Sequence, residues 1–226
     1  MTIRQVITLA QNGELNNIAT KNNMSAIIGH LNLGLIEMYK RFPLNVQEYM
    51  ITLEAGKDIY QMPEDYMWIV AAYDEVPTDS DAMVSVIPIN EEDNPLSLNT
   101  VGFNQIQIPV IVNGGHVSII YIAAPPVYDY IENTDSFTKT YYDHDADDMV
   151  TVAATVLDIP TQMIEALLHY VGYRAHSSMD SGTQAENNGH YTRFETSCLR
   201  LEQRGMINND DLSMKDRVVL KGFVWV

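Results

Sequence analysis

The side chains that could do chemistry in this chain fall into a few small groups. Asp143-His144-Asp145-Ala146-Asp147-Asp148 gathers carboxylates much as a hard-cation loop does. Such a loop needs staggered oxygens, a turn-making Gly and a distal bidentate Glu. This run has no Gly and no suitable Glu after it, so it reads as a solvated acidic loop. His169 and His176 lie seven residues apart on a predicted helix. Two turns of helix put them too far apart to share one ion directly, and His169 reads as a polar-face or groove-side histidine. Cys198 is the only cysteine, which excludes an intrachain disulfide and a thiolate zinc cluster. It falls on an apolar stripe with nothing nearby in sequence to lower its pKa, so it reads as a buried small hydrophobe. Neither a His-Glu-x-x-His pair, a Walker loop nor a Gly-x-Ser-x-Gly elbow occurs. The expectation is no catalytic residue, no cofactor and no metal.

The elements that must position these groups change character twice. Residues 2–10 form a short predicted helix ended near Asn12-Gly13. A longer helix is predicted from about Lys21 to Phe42, with Ile27, Ile28, Leu31, Leu35, Met38, Tyr39 and Phe42 on one apolar face and Pro43 as its stop. From Leu44 the period becomes two: Tyr49, Ile51 and Leu53 alternate, residues 55–58 make a turn before Ile59-Tyr60, and Met67–Tyr73 and Val84–Ile89 follow as strands. Residues 74–81 and 90–97 read as acidic, Pro-containing loops. Ile106, Ile108, Val110 and Val112, then Asn113-Gly114-Gly115, then Val117, Ile119 and Tyr121 predict a hairpin. Residues 127–148, rich in Tyr and Asp, read as a long ordered loop. Helical spacing returns after Pro160 with Ile164, Leu167, Leu168, Val171 and Ala175. A polar connector at 177–189 leads to a last helix marked by Tyr191, Phe194, Cys198 and Leu201 and ended at Gly205.

The charge changes at the same boundaries. Residues 44–150 carry 19 acidic side chains against Lys57 and Lys139, whereas residues 1–43 sum to +2 and 151–226 to −2. The coincidence predicts an α+β fold. In it a helical bundle built from 1–43 and 151–205 is interrupted by an inserted acidic antiparallel β module, 44–150, with its long loop at 127–148, and is followed by a C-terminal tail, 206–226. Hydrophobic residues make up 46%, enough for a real core. No apolar run reaches the ~20 residues of a bilayer span, and the start lacks the apolar stretch of a secretory signal. With one cysteine, an intracellular folding environment is expected. A pI near 4.5 argues against a chain that grips nucleic acid, since phosphate binding needs clustered Lys and Arg.

The tail carries its own signal. Val218, Leu220, Phe223 and Trp225, with Arg217 and Lys221 beside them, follow the polar spacer Asn208-Asn209-Asp210-Asp211. Leaving such side chains in water costs roughly 1.5–3 kcal/mol each. Physics alone leaves two readings open: an edge strand packed on its own chain, or strand addition to a partner.

Asn32-Leu33-Gly34-Leu35-Ile36-Glu37-Met38-Tyr39-Lys40-Arg41-Phe42 resembles the second helix of phage head-to-tail adaptors, the tail tubular protein A class of short-tailed phages. Ile59-Tyr60-Gln61-Met62-Pro63 is similar to the Tyr-x-Leu-Pro stretch that follows that helix. Ser118–Pro125 resembles the strand that closes the β module, and Ile159–Ala175 with Tyr191–Leu201 the returning helix pair. The resemblance covers most of residues 15–205 and implies a structural virion protein of the tail or neck, assembled in the host cytoplasm. It implies a homo-oligomeric ring, generally of twelve copies, between portal protein and tail nozzle protein. The genome passes through such a ring without specific binding, and no membrane is involved. The tail, with Val218, Leu220, Phe223, Trp225, Arg217 and Lys221, is then the segment expected to dock on the portal or a neighbouring subunit. The stretch at 127–148 departs from the family pattern.

Two other functions compete. A carboxylate-based glycan hydrolase of a phage tail would use paired Asp and Glu; acids are abundant here, but none stands in an apolar sequence context that would raise its pKa. A carbohydrate- or protein-binding β module would use the same acidic loops without a ring.

Overall fold

The computed structural model describes residues 1–18, 22–75, 85–109, 115–177 and 184–204. Among them the chain is mixed α and β, with four α-helices and antiparallel sheets. It divides into two compact units. The first comprises Met1–Pro43, Pro125–Tyr141 and the described part of Met149–Val226; the second comprises Leu44–Ala124 and Tyr142–Asp148.

In the first unit, α1 (Ile3–Asn12) starts on a capping box in which the Thr2 hydroxyl accepts from Gln5 N and the Gln5 side chain accepts from Thr2 N. Its face Ile3, Val6, Ile7 and Ala10 is buried. α2 (Met24–Arg41) is capped by Asn23, whose side chain accepts from Ala26 N, and leaves the helical region at Phe42, just before Pro43. Ile27, Ile28, Leu31, Leu35, Met38, Tyr39 and Phe42 are all buried, as the spacing predicts. α3 (Ile164–Ser177) follows a 3₁₀ turn at Thr161–Met163 and packs against α1, α2 and α4 (Gln184–Gln203). Close packing of α2 on α3 runs through Gly34: a Cβ there would meet Leu167 Cδ1 at 2.5 Å and Tyr170 Cδ1 at 3.1 Å. Arg41 ties α2 to α4 with contacts to Glu195 at 2.8 Å and Glu202 at 2.6 Å.

Three expectations are corrected in this unit. Residues 127–148 are not a loop. They form β8 (Val127–Ile131), a 3₁₀ turn, β9 (Ser136–Asp143) and the start of β10 (Asp148–Ala154), in the sheet order β10-β9-β8. Two inward aromatics explain it: Tyr128 is 1% exposed and Phe137 6%, and β8 packs on α2. Pro125–Tyr141 therefore belongs with the helices and not with the expected 44–150 module. The last helix also begins earlier than the polar connector implied, at Gln184. On it Phe194, Cys198 and Leu201 are buried but Tyr191 is largely exposed, and on α3 Leu168 is only half-buried.

The second unit holds two antiparallel sheets. In one the order is β1-β7-β3-β4, from Val46–Thr52, His116–Ala123, Tyr66–Glu75 and Ser85–Ile87. In the other it is β2-β6-β5, from Ile59–Gln61, Gln105–Gln107 and Asn99–Gly102. Ile51, Tyr60, Met62, Ala72, Leu98, Ile106, Val117, Ile119 and Tyr121 share one core. The turn at 55–58 is present, with Gly56 at φ 82°. The predicted hairpin is not. β6 pairs with β2 and β5, while β7 pairs with β1 and β3, and residues 110–114 lie outside the described residues. Alternation assigns a face to a strand but not a partner. β7 is the centre of its sheet and is buried along most of its length, which calls for a neighbour on each side. Of the acidic loop read at 74–81, Asp74 and Glu75 are the last residues of β3 and the rest lies outside the described residues.

Candidate functional site

The densest cluster of chemically capable side chains in the first unit joins three separate segments. α1 stops at Gly13, whose N–H reaches Leu9 O at 2.9 Å, and the following turn is pinned by buried Leu15 and Ile18. That places Glu14 between α3 and α4. His169, Gly172 and His176 follow helical spacing along one side of α3, and His190 comes from α4. Glu14 Oε1 lies 3.0 Å from His169 Nδ1, and Glu14 Oε2 lies 2.6 Å from His190 Nδ1. The second contact is close but not aligned as a hydrogen bond. The His176 Nε2 atom is 3.2 Å from the Glu14 carbonyl oxygen. Its ring stacks on that of His190, with centroids 4.6 Å apart and planes 20° apart. On the far side of His169, Nε2 is 3.9 Å from the Glu165 carboxylate.

Gly172 is what permits this convergence. A Cβ there would stand 2.9 Å from His190 Nδ1 and 3.1 Å from Glu14 Cβ. Electrostatics fix the charge states. The hydrogen bond from His169, helped by the neighbouring histidines and Arg193, holds the Glu14 carboxyl below its ordinary value despite burial. Burial holds the His190 imidazole below its ordinary value, against the pull of Glu14. At neutral pH the cluster is thus a carboxylate facing a neutral His190 imidazole. The ligand atoms of Glu14, His169 and His190 all lie within 4.8 Å of one another. Sequence reasoning weighed only the pair His169 and His176, which the helix does hold apart. Glu14 and His190 enter from elements 155 and 21 residues away, a separation no local motif can encode.

A second group lies in the other unit. Asp65 accepts from Tyr121 OH at 3.0 Å through Oδ1, and its Oδ2 stands 3.2 Å from His144 Nε2. Tyr142 stacks edge-on against His144 and donates to Asp147. Burial raises the Asp65 carboxyl above its ordinary value, outweighing the Tyr121 and His144 contacts. The expectation that no acid sits in such a setting is therefore corrected: Asp65 follows Pro63-Glu64 in a polar stretch, and the apolar wall comes from β7, far along the chain. In the acidic run, Asp143 Oδ1 is engaged by the N–H groups of Asp145 and Ala146, which closes a local turn. Cys198 is buried and its thiol is pushed up to about 11, chiefly by burial, so it is inert as a nucleophile at neutral pH.

The docking residues expected in the tail, Arg217, Val218, Leu220, Lys221, Phe223 and Trp225, lie outside the described residues. No helix among the described residues is long and apolar enough to cross a membrane.

The SU10 adaptor protein family matches residues 1–215, and the chain belongs to that family. This agrees with the resemblance to phage head-to-tail adaptors read from Asn32–Phe42 and the segments that follow it. Membership makes the chain a phage adaptor, a structural protein of the virion that interacts with other head or tail proteins. It implies a non-enzymatic role. No curated protein matches the chain.

Proposed function

We propose that this protein is a ring-forming adaptor that joins the portal to the tail nozzle and gives passage to the genome. The observation that carries the reading is the family match over residues 1–215, nearly the whole chain. The distribution of charge supports it. The second unit contains 16 of the 30 acidic side chains and Lys57 as its one lysine or arginine. In a ring, such units facing the lumen repel DNA and keep the passage slippery. The helical flanks 1–43 and 151–205 supply the bundle that packs against neighbouring copies, and 206–226 is the arm that docks on the portal or a neighbouring adaptor. Cyclic assembly fits a chain that must present one face to a portal and another to a nozzle. Native mass measurement of the full chain mixed with its portal tests the proposal. A closed ring of about twelve copies on the portal is expected; a monomer that leaves the portal unoccupied overturns it.

A further inference from the structure

We propose that Glu14, His169 and His190 form a binding site for one divalent transition-metal ion, Zn²⁺ being the ion its donors suit, which pins the turn after α1 to α3 and α4.

Two imidazole nitrogens and one carboxylate oxygen are a common donor set for Zn²⁺, with a water completing the tetrahedron. Three independent features of the cluster favour an ion over a simple hydrogen-bonded trio. First, His190 Nδ1 is covered by protein yet has no hydrogen-bond partner among the described residues, although a carboxylate oxygen lies 2.6 Å away. An imidazole nitrogen so close to Glu14 yet without a hydrogen bond is left with a donor atom that an ion would satisfy. Second, Gly172 keeps that space clear, since a Cβ there would press on both Glu14 and His190. Third, the outer atoms suit a metal-bound imidazole. His169 Nε2 faces the Glu165 carboxylate at 3.9 Å, and the His190 ring is held in plane by the stacked His176. Metal-bound histidines are commonly oriented by such second partners.

The donors stand close enough to converge on one ion. Ligands at ~2.0–2.1 Å in a tetrahedron stand ~3.3 Å apart; here the ligand atoms all lie within 4.8 Å of one another, with His169 Nδ1 3.0 Å from Glu14 Oε1 and His190 Nδ1 2.6 Å from Glu14 Oε2. Small side-chain rotations bring the three donors to that spacing and relieve the closest contact. The side chains are shielded but not sealed, at 17% exposure for Glu14, 15% for His169 and 12% for His190, so an ion can enter. The role is a staple between three segments, and it holds whether or not the ring forms.

The test uses the full chain without a polyhistidine tag, stripped with a chelator and titrated with Zn²⁺ or Co²⁺. The expected result is one equivalent of zinc per chain, a visible Co²⁺ spectrum of a low-coordinate nitrogen–oxygen site, and a higher melting temperature with metal. Glu14→Gln and His190→Gln should each weaken uptake by at least ~10-fold, while His30→Gln, outside the cluster, leaves it unchanged. Should those variants fold poorly, His169→Cys offers a second reading: a thiolate-to-cobalt band in the near ultraviolet marks metal at that position. The proposal is overturned if the stripped chain takes up no stoichiometric zinc at micromolar concentrations, if uptake survives Glu14→Gln and His190→Gln, or if His169→Cys binds cobalt without the thiolate band.

Discussion

Asn32 closes the outer edge of a β-sheet by binding both backbone groups of Tyr128. Its Nδ2 donates to Tyr128 O at 2.8 Å and its Oδ1 accepts from Tyr128 N at 3.0 Å. β8 is the edge strand of its sheet, so those groups point away from β9 and would otherwise need water or another strand. One carboxamide on α2 thus stands in for a neighbouring strand. The Tyr128 side chain continues the link: its hydroxyl accepts from Asp158 N at 2.8 Å, while Tyr39 OH donates to Asp158 O at 3.1 Å. Burial pushes the Tyr39 hydroxyl up to about 12, which keeps it a donor at any ordinary pH.

Asn32→Ala should therefore destabilise the chain by about 2 kcal/mol, because it strands a donor and an acceptor at a half-buried edge. Asn32→Asp keeps the acceptor but sets a carboxylate oxygen against the Tyr128 carbonyl oxygen, so its cost should match or exceed that. Chemical denaturation of the two variants beside the parent measures both. Equal stability of all three would mean that water replaces the carboxamide without loss.

Gly34→Ala sets two known effects against each other. Alanine gains about 1 kcal/mol of helix propensity over glycine, but its Cβ would lie 2.5 Å from Leu167 Cδ1 in a position where Leu167 is fully buried. Overpacking of this kind costs about 1–3 kcal/mol, so the net effect should be a loss of about 1 kcal/mol. Thermal unfolding would register it as a drop in melting temperature, where Gly29→Ala, with open space around its Cβ, should give a rise.

Stability should also depend on pH through Asp65. Its folded-state pKa is raised above the ordinary carboxylate value, mainly by burial. Such a group contributes most to stability below its unfolded pKa, and that contribution is lost as pH rises through the folded value. Asp65→Asn should thus gain on the parent as pH climbs from about 3 through the raised value. Tyr121, His144 and Tyr142 face this carboxyl, so the comparison is repeated in a His144→Asn background to remove the imidazole contact. Urea midpoints whose gap moves the other way would show that the Tyr121 and His144 contacts outweigh burial.

What was legible in the sequence was the set of surfaces that repeat locally. The α2 stripe from Ile27 to Phe42 and the α3 positions Ile164, Leu167, Val171 and Ala175 are buried because helical spacing and burial share one period. Partners were less legible. Ile106 and Val117 each carry the alternation of a strand, but they belong to different sheets, since nothing in alternation says which neighbour completes the hydrogen bonds. The segment 127–148 reads as a loop because it is rich in Tyr and Asp, while two inward positions, Tyr128 and Phe137, decide its structure. The histidine cluster was out of reach for a third reason. His169 looked isolated until the turn at Glu14 and the first turns of α4 were placed beside it.

In an assembled ring, subunit packing should come mainly from the helical unit. Packing the acidic second units against one another would place like charges together at each interface, a cost that salt screens only beyond about 8–10 Å. The first unit, with its charges nearly balanced, carries no such penalty. A density map of the ring supplies the interface areas, and a majority contributed by 44–124 would reject this arrangement.

The tail gives the sharpest functional prediction. α4 ends at Gln203, and beyond Gly205 the sequence offers a polar spacer, Asn208-Asn209-Asp210-Asp211, before its apolar residues. Lys215, Arg217 and Lys221 place positive charge beside Val218, Leu220, Phe223 and Trp225, which suits an acidic partner surface. In an extended tail Phe223 and Trp225 share one face, because side chains alternate along a strand. Aromatic anchors of this kind commonly carry interface energy, with truncation costing about 2 kcal/mol or more. The described cores of both units are built without this segment, so its removal should spare folding. A chain stopped at residue 210 should remain folded and soluble but fail to attach to portal-bearing capsids, and Phe223→Ala with Trp225→Ala in the full chain should reproduce that defect. Sedimentation of capsids with bound adaptor reads the attachment, and circular dichroism reads the fold. Normal attachment of the shortened chain would end the docking-arm reading, and outright unfolding would show instead that the tail packs as a strand on its own chain.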